Sequence, residues 1–544
     1  MDDWPPADIQ MYYNPTLDFL SYFLINTLPP IATVFILGAL HGLNLWLMFH
    51  LAYPFVSYYE RKQAIGISLA IALVGFYGPI SFSETGSFVG DNLISLFALT
   101  AILLQVYFLK NYIRLHSKPA TVEFGKKSIF KKDFSWGLLL ISGFVLGAGV
   151  GLKLVIAYCV VGSIAAFLFL PWPFTLRIKI IFLWGASVAL GFFLSYGYWM
   201  LLLWQRYHNP FFPHFNGIFH SPDFTQTSWQ ETAFLPKTTF QSFFYPFYFS
   251  WNGSLVCERF FMDFRFAVAY LLFIFSSLMI VYRKVKENHG SPYFKKISFF
   301  YKNVVNPSFN LLSYWLLIFF IFSYITWQLY SASMRYLNTL QILTPLIIYL
   351  LLRFLMKETV YRLLLLAFVF YFLVVAMIPM SEAGLRLHTF GKTYFNIALP
   401  DFIRHDTTAM VLTIVPNLLF SEDMFKTTII SSVYYERGKM PSPASLSAVS
   451  HPYLIPSFPK NFHFVGITTI GKYYALTPHA KKWIQQFPGP FYLLTTQANM
   501  PSFLRLAAQF DLYPDGTCGS VSSDRLQLPH LRHSVVLLCR AVKK

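Results

Sequence analysis

The sequence predicts an all-α polytopic membrane protein of about ten transmembrane helices, followed by a small α/β domain. Of its 544 residues, 56% are hydrophobic and only 12% are charged, whereas a soluble protein of this size has roughly twice that charged fraction. Apolar runs of the length that crosses a bilayer, about 17–25 residues, recur until Met380 and then stop. We therefore expect a multi-pass membrane domain over residues 1–380 and a soluble domain over residues 381–544.

Ten apolar segments are predicted to span the membrane, and the fourth and fifth are alternatively one long hydrophobic hairpin. Their ranges are 30–52, 64–80, 91–109, 135–151, 154–171, 180–204, 264–283, 311–330, 337–353 and 361–380. The loops after the odd-numbered segments, together with Arg283, Arg353 and Arg362 at the segment ends, contain twenty Lys and Arg residues, and the loops after the even-numbered segments up to the eighth contain five. Because basic loops face the cytoplasm, we expect the other loops, both termini and the C-terminal domain on the opposite side.

The same loop distribution accounts for the formal charge of +18, so we expect no nucleic-acid partner. Residues 1–29 contain no Lys or Arg and no apolar span, which leaves two explanations for their predicted place outside the cytoplasm. Either this short stretch crosses together with the first segment, or a further helix precedes Met1. We favour the second explanation.

Residues 381–544 alternate short strand-like runs with helix-like runs, a pattern typical of an α/β domain. Their two cysteines, Cys518 and Cys539, would lie in an oxidising compartment, so we predict a disulfide between them, with two buried thiols as the alternative. Cys159 lies within an apolar segment, where packing explains it.

Two acidic residues lie between the second and third apolar segments, in the stretch SETGSFVGDN. A carboxylate in or near hydrocarbon is costly to ionise and usually has a partner or a function. Asp91 opens the third segment, so capping of a helix N-terminus is a purely structural alternative. Glu84 has no such position, although an outside loop would solvate it. We predict Glu84 and Asp91 as catalytic carboxylates and Asp91 also as a ligand of a divalent metal ion.

Two cations lie at predicted helix ends on the same side. Lys153 follows the small-residue stretch GAGVGL, which permits close helix packing, and it is either a phosphate ligand or a cation that extends to the membrane interface. Arg335 and Tyr336 fill a short turn, and a guanidinium group is well suited to pair with two phosphate oxygens. We predict all three as substrate-binding residues.

The stretch RYHNPFFPHFNGIFHSPDF follows the sixth segment and mixes cations, histidines, aromatic residues and prolines. The prolines exclude a regular helix, and the mixture suits a segment that contacts a lipid headgroup or a sugar. Arg206 and His208 are predicted as substrate contacts. A zinc site formed by the three histidines is an alternative, although their spacing matches no metal motif. Together these groups suit chemistry on a phosphate-linked donor: cations bind the phosphate, and a carboxylate acts as base.

The chain resembles the bacterial C-type (GT-C fold) glycosyltransferase superfamily, whose members use polyprenyl-phosphate-linked sugars. Four stretches resemble it: YYNPTLDFLSYFLINTLPPIATVFILGALHGLNLWL, SETGSFVGDNL, GAGVGLKL and NPFFPHFNGIFHSPDF. The resemblance covers residues 1 to about 380. It implies ten to thirteen spans, an active site outside the cytoplasm, a bacterial inner-membrane location and transfer of a sugar to a lipid, glycan or protein acceptor.

The resemblance also implies a catalytic Asp in the first outside loop, soon after a first helix, and a second acidic motif where Glu84 and Asp91 lie. No span precedes Met1 in this sequence, so this chain departs from the pattern at its start. Asp8 and Asp18 lie in that first loop, but neither aligns clearly with the family's base. A transporter or flippase of a lipid-linked glycan and an inactive envelope protein of the same fold remain alternatives. Transporters often contain internal repeats, and we find none in this sequence.

Overall fold

The computed structural model describes most of the membrane domain and part of the C-terminal domain. The described residues are 12–116, 126–222, 226, 232–257, 260–288, 307–356, 359–378, 397–406, 408–415, 462–470, 473–475, 482, 484–497, 500–523 and 536–543. The predicted domain boundary near residue 380 lies outside them.

Helices dominate the described residues before Ile378. They are α1 (Thr16–Thr27), α2 (Pro30–Val56), α3 (Arg61–Phe76), α4 (Pro79–Ser83), α5 (Asp91–His116), α6 (Lys126–Leu152), α7 (Tyr158–Leu168), α8 (Phe174–Tyr207), α9 (Asn216–Phe219), α10 (Thr239–Trp251), α11 (Arg265–Asn288), α12 (Pro307–Tyr330), α13 (Asn338–Leu355) and α14 (Thr359–Val375).

Seven helices in the described part of the chain are long and apolar enough to cross a membrane: Pro30–Val56, Asp91–Leu115, Ser135–Leu152, Phe174–Tyr207, Arg265–Tyr282, Leu311–Tyr330 and Met334–Leu355. The prediction of a mostly helical chain with several potential membrane spans is therefore confirmed. The other three predicted spans correspond to α3, with 16 residues, and to the shorter apolar helices Leu154–Leu168 and Thr359–Val375. A helix of 16 residues is about 24 Å long, less than the roughly 30 Å of a hydrocarbon core, so length alone does not establish ten spans.

The packing of α6 on α8 shows that these two helices are parallel, so the chain must return between them. Gly143 lies against Trp184, and Gly151, two turns later, lies against Ser195. Both helices therefore run in the same direction, and the segment Leu154–Leu168 leads the chain back. The glycines make this possible, because a Cβ at Gly151 would lie 2.0 Å from the Ser195 hydroxyl oxygen.

A buried ion pair joins three helices near the start of α11. Arg265 donates to the Asp263 carboxylate at 2.6 Å through Nη2, and through Nη1 to the carbonyl of Val74 at 2.9 Å. The side-chain amide of Gln341 on α13 also donates to Asp263, at 3.2 Å. The ends of α3 and α11 are thus fixed to the first turn of α13, close in sequence to Arg335.

The C-terminal domain contains a mixed seven-stranded sheet with the order β1-β6-β7-β5-β2-β3-β4. Its strands are β1 (Ile397–Ala398), β2 (Ala409–Val415), β3 (Phe462–Ile470), β4 (Tyr473–Ala475), β5 (Phe491–Thr496), β6 (Leu512–Ser523) and β7 (Val536–Lys543). Strand β2 is parallel to β3 and β5, and the other pairs are antiparallel. Helix α15 (Met500–Ala507) joins β5 to the β6 region, so the described part of this domain contains both strands and helix, as the sequence predicts.

Cys518 on β6 and Cys539 on β7 are direct cross-strand neighbours. Their sulfur atoms are 2.09 Å apart and form the disulfide that the sequence predicts. Cys159 and Cys257 are buried and lie outside this disulfide.

Candidate functional site

Asp91 occupies the first turn of α5, at the end of the bundle where α6 ends and α13 begins. We call this the Asp91 end. The preceding segment turns sharply there: α4 stops at Ser83, and Gly86 adopts a φ of +75°, which other residues rarely adopt. Free N–H groups at the start of α5 favour a carboxylate at this position. Asp91 is the first residue of α5 and follows the N-cap Gly90, whose carbonyl accepts from the Ile94 N–H at 2.9 Å. Its side chain contacts residues far away in sequence.

Two cations contact the two carboxylate oxygens of Asp91. The Lys153 ammonium group donates to Oδ1, and the Arg335 Nε lies 3.3 Å from Oδ2. Asp91 and Arg335 are buried, whereas a quarter of the Lys153 side-chain surface is exposed. The cluster thus has a buried interior, and Lys153 lies at its accessible edge.

Glu84 is the second carboxylate at Arg335. Its Oε1 lies 3.9 Å from the Arg335 Nε, and only 2% of its side-chain surface is exposed. The short helix α4 directs it inward, since the Glu84 backbone N–H donates to the carbonyl of Ile80 at 2.9 Å. Tyr336 adds an aromatic ring, with the Lys153 Nζ 5.8 Å from its centre. The structure therefore brings together five of the seven catalytic and substrate-binding residues that the sequence singles out.

The other two, Arg206 and His208, lie at the far end of α8. The Arg206 guanidinium group lies 5.9 Å from the Tyr207 ring centre, and His208 is an exposed residue with φ of 51° that ends the helix. Eleven residues, about 16 Å of helix, separate Arg206 from Ser195, whose carbonyl lies beside that of Gly151. Their role as substrate contacts remains a prediction.

A buried polar network lies behind the charged cluster, and the sequence analysis did not identify it. The Asn338 amide donates to Asn92 at 3.0 Å and to the Ser95 hydroxyl at 3.1 Å, and its oxygen accepts from Ser81 at 2.6 Å. The Asn44 amide donates to the Asn92 backbone carbonyl at 2.8 Å. These contacts join α2, α4, α5 and α13 directly below the charged residues. The only sequence signal was that Asn92 directly follows Asp91, and that Asn338 follows Arg335 by three residues, at the start of apolar helices.

Asp18 on α1 is a third carboxylate near the cluster. Leu17, the preceding residue, packs so closely on Gly90 that a Cβ there would lie 2.3 Å from its Cδ2 atom. Asp18 is half-buried, and burial raises the pKa of its carboxyl group to about 7, against the opposing effect of the nearby Lys153 ammonium group. The sequence analysis assigned Asp18 to the first loop, whereas the structure has it on α1, and the sequence offered no signal that it approaches Lys153.

The predicted metal sites gain no support from this geometry. No group of three or more His, Cys, Asp or Glu side chains suited to hold a metal ion occurs within the described part of the chain, and this applies to the histidines near Asn209 as well. Both carboxylate oxygens of Asp91 already face a cation. A metal ion at Asp91 would therefore have to replace Lys153 or Arg335.

In comparisons with known proteins, no family model, no curated protein and no solved structure matches this chain.

Proposed function

We propose that this protein is an integral membrane glycosyltransferase that transfers a sugar from a polyprenyl-phosphate donor to an extracytoplasmic lipid, glycan or protein acceptor. The observation behind this proposal is that Lys153 and Arg335 both contact the Asp91 carboxylate, near the Asp18 carboxyl group, whose pKa is about 7. In the proposed topology the Asp91 end and the C-terminal domain face away from the cytoplasm of a bacterial inner membrane.

Lys153 and Arg335 would bind the donor phosphate. Both are fixed by a buried anion, so little side-chain entropy is lost when a phosphate binds them. Arg335 places a guanidinium group, which suits phosphate geometry, beside Asp91, and Lys153 is exposed enough to meet a ligand. As the phosphate leaves the sugar, the same two cations would stabilise the negative charge that develops on it.

A carboxylate would act as general base in this reaction. The acceptor hydroxyl loses its proton to the carboxylate, its oxygen forms a bond to the anomeric carbon, and the bond from that carbon to the phosphate oxygen breaks with its electron pair on the phosphate. Asp18 suits this step best, because a carboxyl group with a pKa of about 7 is largely deprotonated near neutral pH and yet accepts a proton readily. Glu84 and Asp91 would hold Arg335 and Lys153 in place.

Binding of the lipid phosphate tests the proposal first. The purified protein is titrated with a polyprenyl monophosphate and with the corresponding polyprenol, and complexes are counted by native mass spectrometry. We expect binding to require the phosphate group, so that the polyprenol does not bind. Lys153→Met and Arg335→Gln should each weaken binding about 10- to 100-fold, the value of a lost hydrogen bond to a charged group. Lys237→Met, at an exposed position, is the matched control and should bind as the wild type does.

Catalysis is tested by the release of polyprenyl phosphate from a panel of polyprenyl-phosphate hexoses and pentoses, with total membrane lipids and glycans as acceptors. Release that requires Asp18 would support the proposal. Equal binding of polyprenol and polyprenyl phosphate would contradict the phosphate site. Movement of a labelled lipid-linked glycan across vesicles, without any release from the donors, would identify a transporter instead.

A further inference from the structure

The side chain of Asn14 joins α1 to two other helices at the Asp91 end. Its amide nitrogen donates to the Gly151 carbonyl at 2.8 Å and to the Ser195 carbonyl at 2.9 Å. Gly151 lies two residues before Lys153, and Ser195 lies on α8. Asn14 itself is only 8% exposed. Asn14, two residues before α1, is therefore hydrogen-bonded to the backbone two residues before Lys153.

The amide oxygen of Asn14 is equally engaged. It accepts from the Thr16 backbone N–H at 3.1 Å, from the Thr16 hydroxyl at 2.7 Å and from the Tyr198 hydroxyl at 2.9 Å. Both amide donors and the acceptor thus have partners, which lie on α1, α6 and α8. Aspartate would lack the donors for the two carbonyls, and alanine would lose all five hydrogen bonds.

The first turn of α1 has a second, independent contact on its other side. Leu17 packs against Gly90, the residue before Asp91, so closely that a Cβ at Gly90 would displace the Leu17 side chain. The first turn of α1 is therefore held between the end of α6 and the start of α5. Asp18 directly follows Leu17, so its carboxyl group is held near Lys153 by contacts on both sides.

We infer that Asn14 is a positioning residue, which fixes the first turn of α1 and thereby holds the Asp18 carboxyl group beside Lys153. Its role in transfer rests on the proposed function, whereas the positioning itself is measurable without any turnover. The burial that raises the pKa of Asp18 depends on this docked position, which makes the titration of Asp18 a direct readout.

The experiment is an infrared titration of the full-length protein in lipid nanodiscs. The carbonyl stretch of protonated carboxyl groups is followed against pH, and the band that Asp18→Asn removes belongs to Asp18. In the wild type this band should disappear with a midpoint near pH 7. In Asn14→Ala the midpoint should fall by at least one pH unit toward the ordinary value of about 4, because water then reaches the carboxyl group.

Asn216→Ala is the matched control, since Asn216 is also buried and its side chain also makes hydrogen bonds to backbone, with Ser221. It should leave the Asp18 midpoint unchanged. If Asn14→Ala does not fold, Leu17→Ala loosens the opposite contact and should shift the midpoint in the same direction. An unchanged midpoint in the folded Asn14 or Leu17 variant, or an equal shift in the Asn216 control, would overturn the inference. Absence of transfer by the wild type would refute the proposed function and leave this titration result standing.

Discussion

The ion pair between Asp91 and Arg335 is expected to contribute strongly to the stability of the membrane domain. Both side chains are more than 90% buried, and the Arg335 Nε lies 3.3 Å from the Asp91 carboxylate. Removal of one partner from a buried ion pair typically costs about 3–5 kcal/mol, because the other charge stays buried without compensation. Asp91→Asn preserves the shape of the side chain while it removes the charge. We therefore expect a loss near the lower end of this range, since Glu84 remains 3.9 Å from Arg335.

A double-mutant cycle separates this pair from other effects of the two substitutions. Unfolding free energies of the wild type, Asp91→Asn, Arg335→Gln and the double variant are measured by reversible denaturation in mixed micelles. The double variant should lose less stability than the sum of the single variants, with a coupling of about 1–3 kcal/mol. The partly exposed pair Arg540 and Asp515, with 4.0 Å between Nε and Oδ2, is the matched control and should couple by no more than about 1 kcal/mol.

Additive losses at Asp91 and Arg335, within about 0.5 kcal/mol, would refute the pairing. A coupling as small as that of the surface pair would also contradict a buried, desolvated contact. Either result would leave the cluster without the anion that holds Lys153 and Arg335 together.

Three further predictions concern packing, the disulfide and pH. Gly147→Leu should prevent the close contact of α6 with α8, because even a Cβ at Gly147 would lie 1.9 Å from the Val188 carbonyl oxygen. Gly185→Leu is the control and should be tolerated, because Gly185 has open space around it. The thermal unfolding temperature should fall in the first variant and not in the second. Reduction of the disulfide at Cys518, or Cys518→Ser, should destabilise the C-terminal domain by roughly 3 kcal/mol in chemical denaturation, and an unchanged midpoint would contradict this. The folded state raises the pKa of Asp18 to about 7 and thus binds its proton more tightly than the unfolded state. The stability of the wild type should therefore fall, relative to that of Asp18→Asn, as the pH rises from about 4 to 7, and the difference should stay constant above pH 7. A constant difference in stability between about pH 4 and 7 would exclude the pKa shift.

Much of the charged cluster could be predicted from sequence, because its members lie at helix ends. Asp91 opens an apolar segment, Lys153 follows one and Arg335 precedes one, so a simple alternation of segments brings all three to one end of the bundle. Strands β2, β5 and β7 also corresponded to apolar runs visible in the sequence. In both cases local composition and chain direction sufficed.

The rest depends on contacts between residues far apart in sequence. Asp18 approaches Lys153 because Asn14 bonds to Gly151, 137 residues away, and because Leu17 packs against Gly90. The order of the sheet likewise depends on non-local pairing, such as that of β1 with β6. Arg206 and His208 could not be placed from composition alone, because the length of α8 carries them well past Ser195, and their role as substrate contacts remains a prediction.

A cryo-electron microscopy structure of the full-length protein with a polyprenyl monophosphate in nanodiscs tests the phosphate site most directly. We predict density for the phosphate within hydrogen-bonding distance of the Lys153 Nζ and the Arg335 guanidinium group, with the Asp18 carboxyl group on the side where an acceptor would enter. Phosphate density at another place on the protein, with the contacts of Lys153 and Arg335 to Asp91 unchanged and closed to the lipid, would contradict the proposed glycosyltransferase site.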